Sequence, residues 1–130
     1  MICKFEIIYK GPIISLNHYK SLSWRKLKNK IDPLKLQLNS LITKKNPPKL
    51  KWMELRVSHN TNLDLDNITG TIKVFVDCLR HKKILIEDDK KFWDYMSLRY
   101  NPDLPKKTLI FEITGETQQC LTNLKKSNQK

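Results

Sequence analysis

Glycine is scarce, with three in 130 residues, and no Gly-rich run is present to wrap a nucleotide phosphate. The three cysteines, Cys3, Cys78 and Cys120, form no close pair, which argues against a disulfide framework or a zinc site and for a reducing compartment. Cys3 and Cys78 sit in apolar runs and read as small core residues. No apolar run approaches the roughly 18 residues of a membrane span. The N-terminus lacks a basic segment followed by a long apolar one, so no secretion signal is expected. His18, His59 and His81 share no ligand spacing, and no serine or cysteine has an evident base partner. Acid is scarce as well: 13 Asp and Glu stand against 25 Lys and Arg, a formal charge of +12. Such a charge favours polyanions, with nucleic acid the first candidate and an anionic membrane surface the second.

The hydropathy pattern supplies the fold class. Ile2 to Tyr9 alternates, with Cys3, Phe5, Ile7 and Tyr9 on one face, and reads as a half-buried strand. Gly11-Pro12 ends it, and a loop is expected through Ile13 to Asn17. From Leu22 to Lys45 the spacing turns helical, with Trp24, Leu27, Ile31, Leu34, Leu38 and Leu41 on the apolar face. Pro33 predicts a kink or two short helices in line. Arg25, Lys26, Lys28, Lys30, Lys35 and Lys44 make the rest of this segment basic, either a solvated face or a surface turned to DNA. Asn46-Pro47-Pro48 breaks the helix. Lys51 to Ser58 reads as the second strand, with Met53, Leu55 and Val57 inward. After Asn67 the period is helical again, with Ile68, Ile72, Phe75, Val76 and Leu79 on one face and Arg80-His81-Lys82-Lys83 at a C-terminus whose dipole favours cations. Phe92 to Tyr100 and Thr108 to Thr114 read as third and fourth strands, able to pair as a hairpin around Asn101-Pro102-Asp103-Leu104-Pro105. The expected fold is α+β: one small domain, a mixed four-stranded sheet and two main helices in the order β-α-β-α-β-β. The domain covers residues 1–114, followed by a polar, basic tail over 115–130.

The few acids are concentrated. Leu63-Asp64-Leu65-Asp66-Asn67 carries one group and Glu87-Asp88-Asp89 another. If Asp64 and Asp66 alternate on a strand end, both carboxylates point to one side. Clustered oxygen ligands suit hard cations such as Mg²⁺ or Mn²⁺. The other reading makes them turn residues that cap the following helix. A chain that leaves a strand, forms a helix and returns can bring Asp89 beside the first pair. Lys73 follows Asp66 by about two helical turns, and its side chain leans back toward the helix start.

Asp64-Leu65-Asp66-Asn67-Ile68, Lys73, Val76-Asp77-Cys78-Leu79 and Glu87-Asp88-Asp89, taken in order, resemble the RusA family of Holliday-junction resolvases, whose pattern runs Asp-x-Asp-Asn, a helix lysine, Asp-Ala-Leu, a turn and Asp-Asp. Ile14-Ser15-Leu16-Asn17 is similar to a Ser-Leu-Asn segment of phage members. Cys78 stands where the family has alanine, Arg80-His81-Lys82-Lys83 replaces a turn that usually holds glycine, and Ile68-Thr69-Gly70 reads as an insertion before the lysine.

The resemblance implies a dimeric, Mg²⁺-dependent endonuclease, with Mn²⁺ able to substitute, that nicks branched DNA in pairs during recombination and repair. It implies metal ligation by Asp64, Asp66 and Asp89 and a catalytic Lys73. Asn67 and Asp88 would support the ligands, and Asp77 would form a structural ion pair. Candidate DNA contacts are Asn17, Arg25, Lys28, Lys82 and Lys83. Trp24, Trp93, Tyr95 and Tyr100 are candidates to stack on unpaired bases, although the spacing of Trp24 predicts core packing. Neither a membrane nor a small-molecule cofactor is expected, and a cytoplasmic, bacterial or phage-encoded protein is. The alternative function is a non-catalytic nucleic-acid-binding protein on the same scaffold.

Overall fold

The computed structural model describes residues 1–86 and 91–118, without the side chains of Tyr19, Leu65 and Asp66. The elements are β1 (Ile2–Lys10), α1 (Leu16–Ser21), α2 (Trp24–Lys45), β2 (Leu50–Asn60), α3 (Leu65–His81), β3 (Trp93–Tyr100) and β4 (Thr108–Thr117). The fold is α+β, a single small domain around one mixed sheet of order β1-β4-β2-β3. β4 runs antiparallel to both β1 and β2, while β2 and β3 are parallel.

The alternation read from the sequence sets one sheet face. Ile7, Tyr9, Met53, Leu55, Val57, Leu109, Phe111 and Ile113 are buried beneath the helices. α3 lies in the middle of that layer. Its expected stripe of Ile68, Ile72, Phe75, Val76 and Leu79 is buried, and so are Thr71, Val74 and Cys78, because α1 and α2 pack against it as well as the sheet. Phe75 stacks on Phe111, with ring centroids 3.9 Å apart. Each such side chain contributes about 1.5–3 kcal/mol on burial, so α3 is held by packing more than by propensity.

β3 and β4 do not form a hairpin. The connection between them passes over the end of β2 instead: Asn101 N–H donates to His59 O, Lys107 N–H to Asn60 O, and the Asn60 side-chain amide to Leu104 O. Burial explains the arrangement. β4 buries every second side chain and needs a neighbour on both sides, whereas β3 exposes Tyr95, Met96 and Tyr100 and suits a sheet edge. β4 also continues past Thr114 to Thr117, where Gly115 pairs with Cys3 and Met53. A Cβ at Gly115 would lie 2.4 Å from Trp52 O, so no other residue fits there without a shift.

The loop expected before Leu22 contains a helix. Ser15 caps α1, its hydroxyl accepting from His18 N–H at 3.1 Å. α2 is one helix that runs through Pro33, giving up the backbone bond that proline cannot make. Its buried stripe is Leu27, Ile31, Leu34, Leu38 and Ile42. Leu41 is only half-buried, because the phase from Leu38 continues by four residues. Trp24, expected in the core, is 74% exposed, since the first turn of α2 extends beyond the layer that Leu27 enters. Among the described residues no helix is long and apolar enough to cross a membrane.

Candidate functional site

β2 ends at Asn60, so Asp64 and Asp66 are not alternating strand residues. Asp64 is the N-cap of α3 and Asp66 lies in its first turn. The Asp64 Oδ1 accepts the Asn67 N–H at 3.0 Å, the capping arrangement that satisfies an otherwise unpaired donor. Two acids at one helix start are tolerated because the helix dipole and its amide donors favour negative charge there.

Asn67 links this start to α1. Its Oδ1 accepts from Asn17 N–H at 3.2 Å. One turn further on, Thr71 is fully buried and exchanges two bonds with Ile14: Ile14 N–H donates to Thr71 Oγ1 and the Thr71 hydroxyl donates to Ile14 O, both at 2.9 Å. Between them Gly70 lets the 14–16 backbone come close. A Cβ there would lie 2.7 Å from the Ser15 carbonyl carbon and 2.8 Å from Ile14 O and Leu16 N. Thr71 is not among the residues singled out from the sequence, and Gly70 enters there only as part of an insertion before Lys73. The legible signal was a glycine inside a helical run, which costs about 1 kcal/mol relative to alanine and therefore marks a close approach.

Lys73 is exposed on α3, seven residues or about 10 Å along the axis from Asp66. Asp77 faces Arg80, with Oδ1 3.9 Å from Nη2, the ion pair expected of it. Arg80 is exposed while Asp77 is partly buried, and a pair this long with one solvated partner is worth little. Glu87, Asp88 and Asp89 lie outside the described residues. Their neighbours on either side are placed: Leu50 N–H donates to Ile84 O, Leu85 bridges Leu50, and Met53 N–H donates to Phe92 O. These contacts are at the beginning of β2, whereas Asp64 follows its end. α3, 17 residues and about 26 Å long, separates Asp64 from Leu85.

The candidate DNA contacts divide the same way. Asn17 sits against Asn67 and leads through α1 to Arg25 and Lys28. Lys82 and Lys83 are at the far end of α3, where Lys82 Nζ donates to Thr43 Oγ1 at 2.7 Å. His59, at the end of β2 near the Asp64 turn, is 1% exposed. Its Nδ1 lies 2.9 Å from Thr61 Oγ1, its ring meets Tyr100 edge-on at 5.8 Å, and burial lowers its pKa.

Among the described residues no three His, Cys, Asp or Glu side chains are grouped to hold a metal ion. The donor type does fit one: carboxylate and amide oxygens at the α3 start are the ligands Mg²⁺ or Mn²⁺ takes. No protein-family model matches the chain, and no curated protein matches it.

Proposed function

We propose that the protein is a metal-dependent endodeoxyribonuclease that acts on branched DNA. The observation that carries this reading is the start of α3. Asp64 and Asp66 stand there beside Asn67, whose side chain is held against α1 by Asn17, on a chain of charge +12. A divalent ion bound at such acids activates water near neutral pH and offsets charge on a phosphate. The chain's own part is to hold the ion through Asp64 and Asp66 and to present Lys73, on the following turns of α3, to the phosphate as its charge builds. Asn67 fixes the α1 backbone beside the acids.

The third proposed ligand, Asp89, lies outside the described residues; before it Leu85 bridges Leu50 and after it Phe92 O accepts from Met53 N–H. The reading assigns this ligand to a second copy of the chain, in keeping with the dimer that the RusA resemblance implies. A cytoplasmic setting in a bacterial or phage system belongs to the same proposal.

One observation favours a second reading, a nucleic-acid-binding protein without catalysis: the Asp64 carboxylate already has a structural task as helix cap. Incubation with a synthetic four-way junction separates the two. Paired nicks that need Mg²⁺ or Mn²⁺ and vanish in Asp66→Asn support the nuclease. Tight junction binding with no cleavage and no Mn²⁺ uptake supports the binder.

A further inference from the structure

The basic charge is unevenly distributed. α2 holds seven Lys and Arg residues against the single acid Asp32, while four of the five glutamates, Glu6, Glu54, Glu112 and Glu116, lie on the sheet face that no described element covers. Lys51 and Arg56 approach two of these at 3.9 and 3.4 Å. Lys4, Lys10, Arg56 and Arg99 alternate onto that same face and leave it near neutral, so a polyanion is drawn more strongly to the helical side. On that side α2 begins with Trp24, 74% exposed. Lys28 follows it by four residues and stands on the same face, and Arg25, three residues before Lys28, neighbours that lysine; Arg25 and Lys28 are exposed, as is Lys20 near the end of α1.

This start lies at the same end of the molecule as the start of α3. Asn17, bonded to Asn67, is joined to Trp24 by the rest of α1 and two linking residues, a reach of less than about 18 Å. The opposite ends of α2 and α3 also meet, through Thr43 and Lys82, so the two helices run side by side in the same direction.

We propose that the start of α2 is a binding platform for nucleic acid with an unpaired base, in which the Trp24 indole stacks on the base while Lys20, Arg25 and Lys28 hold the flanking phosphates. Stacking is available to any base because each has a π face, and basic side chains around an aromatic are how single strands are held. An anionic membrane is the lesser fit. The other strongly exposed apolar residue of α2, Leu36, is twelve positions on and about 120° around the helix from Trp24, so no apolar stripe is formed for insertion into lipid. The proposal rests on the nucleic-acid part of the reading above and not on its metal site.

The test is run without divalent metal, in EDTA. Anisotropy with a labelled duplex carrying a single-base bulge, and with a fully paired duplex of equal length, is compared for the wild type, Trp24→Ala and Trp24→Phe. The expected result is a loss of roughly 5- to 150-fold in bulge affinity for Trp24→Ala, from the range for one base–aromatic stack. Trp24→Phe should retain most of the affinity, and the paired duplex should change less than about twofold. Lys28→Ala should lower the salt slope by about one on both duplexes. Unchanged bulge affinity in Trp24→Ala, equal loss on both duplexes, or binding of wild type to phosphatidylglycerol vesicles in preference to the bulge would each overturn the proposal. Because no metal is present, the result is independent of cleavage. A protein that binds bulges through Trp24 but never cuts leaves this inference standing without the nuclease, and one that cuts with Trp24 silent does the reverse.

Discussion

Thr71 and Ile14, 57 residues apart, satisfy each other: one buried hydroxyl both accepts the Ile14 N–H and donates to its carbonyl. Through this exchange the segment that begins α1 is fixed to α3 just after the proposed ligands, so local backbone order and site geometry are coupled. Thr71→Val keeps the shape and removes the hydroxyl, leaving two buried backbone groups without their partner. We expect a loss of about 2–4 kcal/mol, read as a lower urea midpoint, with Thr71→Ser retaining most of the stability. Equal midpoints for wild type and Thr71→Val would show that water replaces the hydroxyl at little cost.

Gly70→Ala reverses a familiar sign. In an open helix the change stabilises by about 1 kcal/mol, but here the new methyl meets backbone atoms of Ile14, Ser15 and Leu16 at 2.7–2.8 Å. Backbone held by the Thr71 exchange cannot yield as a flexible side-chain end can. The expected outcome is a lower melting temperature and faster proteolysis between residues 12 and 23; a raised melting temperature would mean that α1 is not seated on α3 as described.

Capping and chemistry at Asp64 are separable by choice of substitution. Asparagine caps a helix about as well as aspartate does, whereas alanine costs about 1 kcal/mol. Asp64→Asn is therefore expected to unfold within about 0.5–1 kcal/mol of wild type, the remainder being the lost dipole interaction, and to lose metal-dependent cleavage. Asp64→Ala is expected to lose both stability and cleavage. Full cleavage by the asparagine variant would leave Asp64 a cap and nothing more.

The sequence carried the sheet face and the α3 stripe, because strict alternation and three-four spacing report burial directly when one side of an element is covered. It misplaced Trp24 because periodicity gives an azimuth and not a position along the helix: the indole is near the apolar stripe but one turn beyond the layer that would cover it. It paired β3 with β4 because adjacent strands with a Pro-rich link resemble a hairpin. The bonds that carry the link across the end of β2, from Asn101 to His59 and from Lys107 to Asn60, have no local signature. At the candidate site the aspartates were legible as acids in a basic chain and, in one of two readings, as the start of the following helix, which Asp64 caps; the choice between that and a strand end depended on β2 stopping at Asn60.

His59 predicts a pH dependence. Its ring is buried and its pKa is lowered from the ordinary 6.5, so the folded protein holds it neutral while the unfolded chain protonates it. The unfolded state then binds more protons below about 6.5, and stability falls as pH drops from there toward the folded value. Urea midpoints at pH 7.5 and 5.5 should differ for wild type. The difference should shrink in His59→Phe, which keeps an aromatic against Tyr100 and removes the titration. An unaltered difference would assign the pH dependence to other groups.

The proposed two-copy site makes the sharpest prediction. Asp66→Asn and Asp89→Asn are each expected to abolish cleavage when homodimeric. If every site takes Asp64 and Asp66 from one copy and Asp89 from the other, a mixed dimer has one site with both defects and one site with neither. Equal amounts of the two variants, unfolded together and refolded to exchange partners, then regain about a quarter of the intact sites of wild type, given twofold symmetry and random pairing. Nicking of one strand at a time should return, while paired nicks stay rare because no mixed dimer has two working sites. If all three acids belong to one copy, every chain in the mixture is defective and nothing returns. Inactivity after refolding under conditions that restore wild type would therefore refute the shared site, and it would leave the separation of Asp64 from Leu85 along α3 as an argument for the binder over the nuclease.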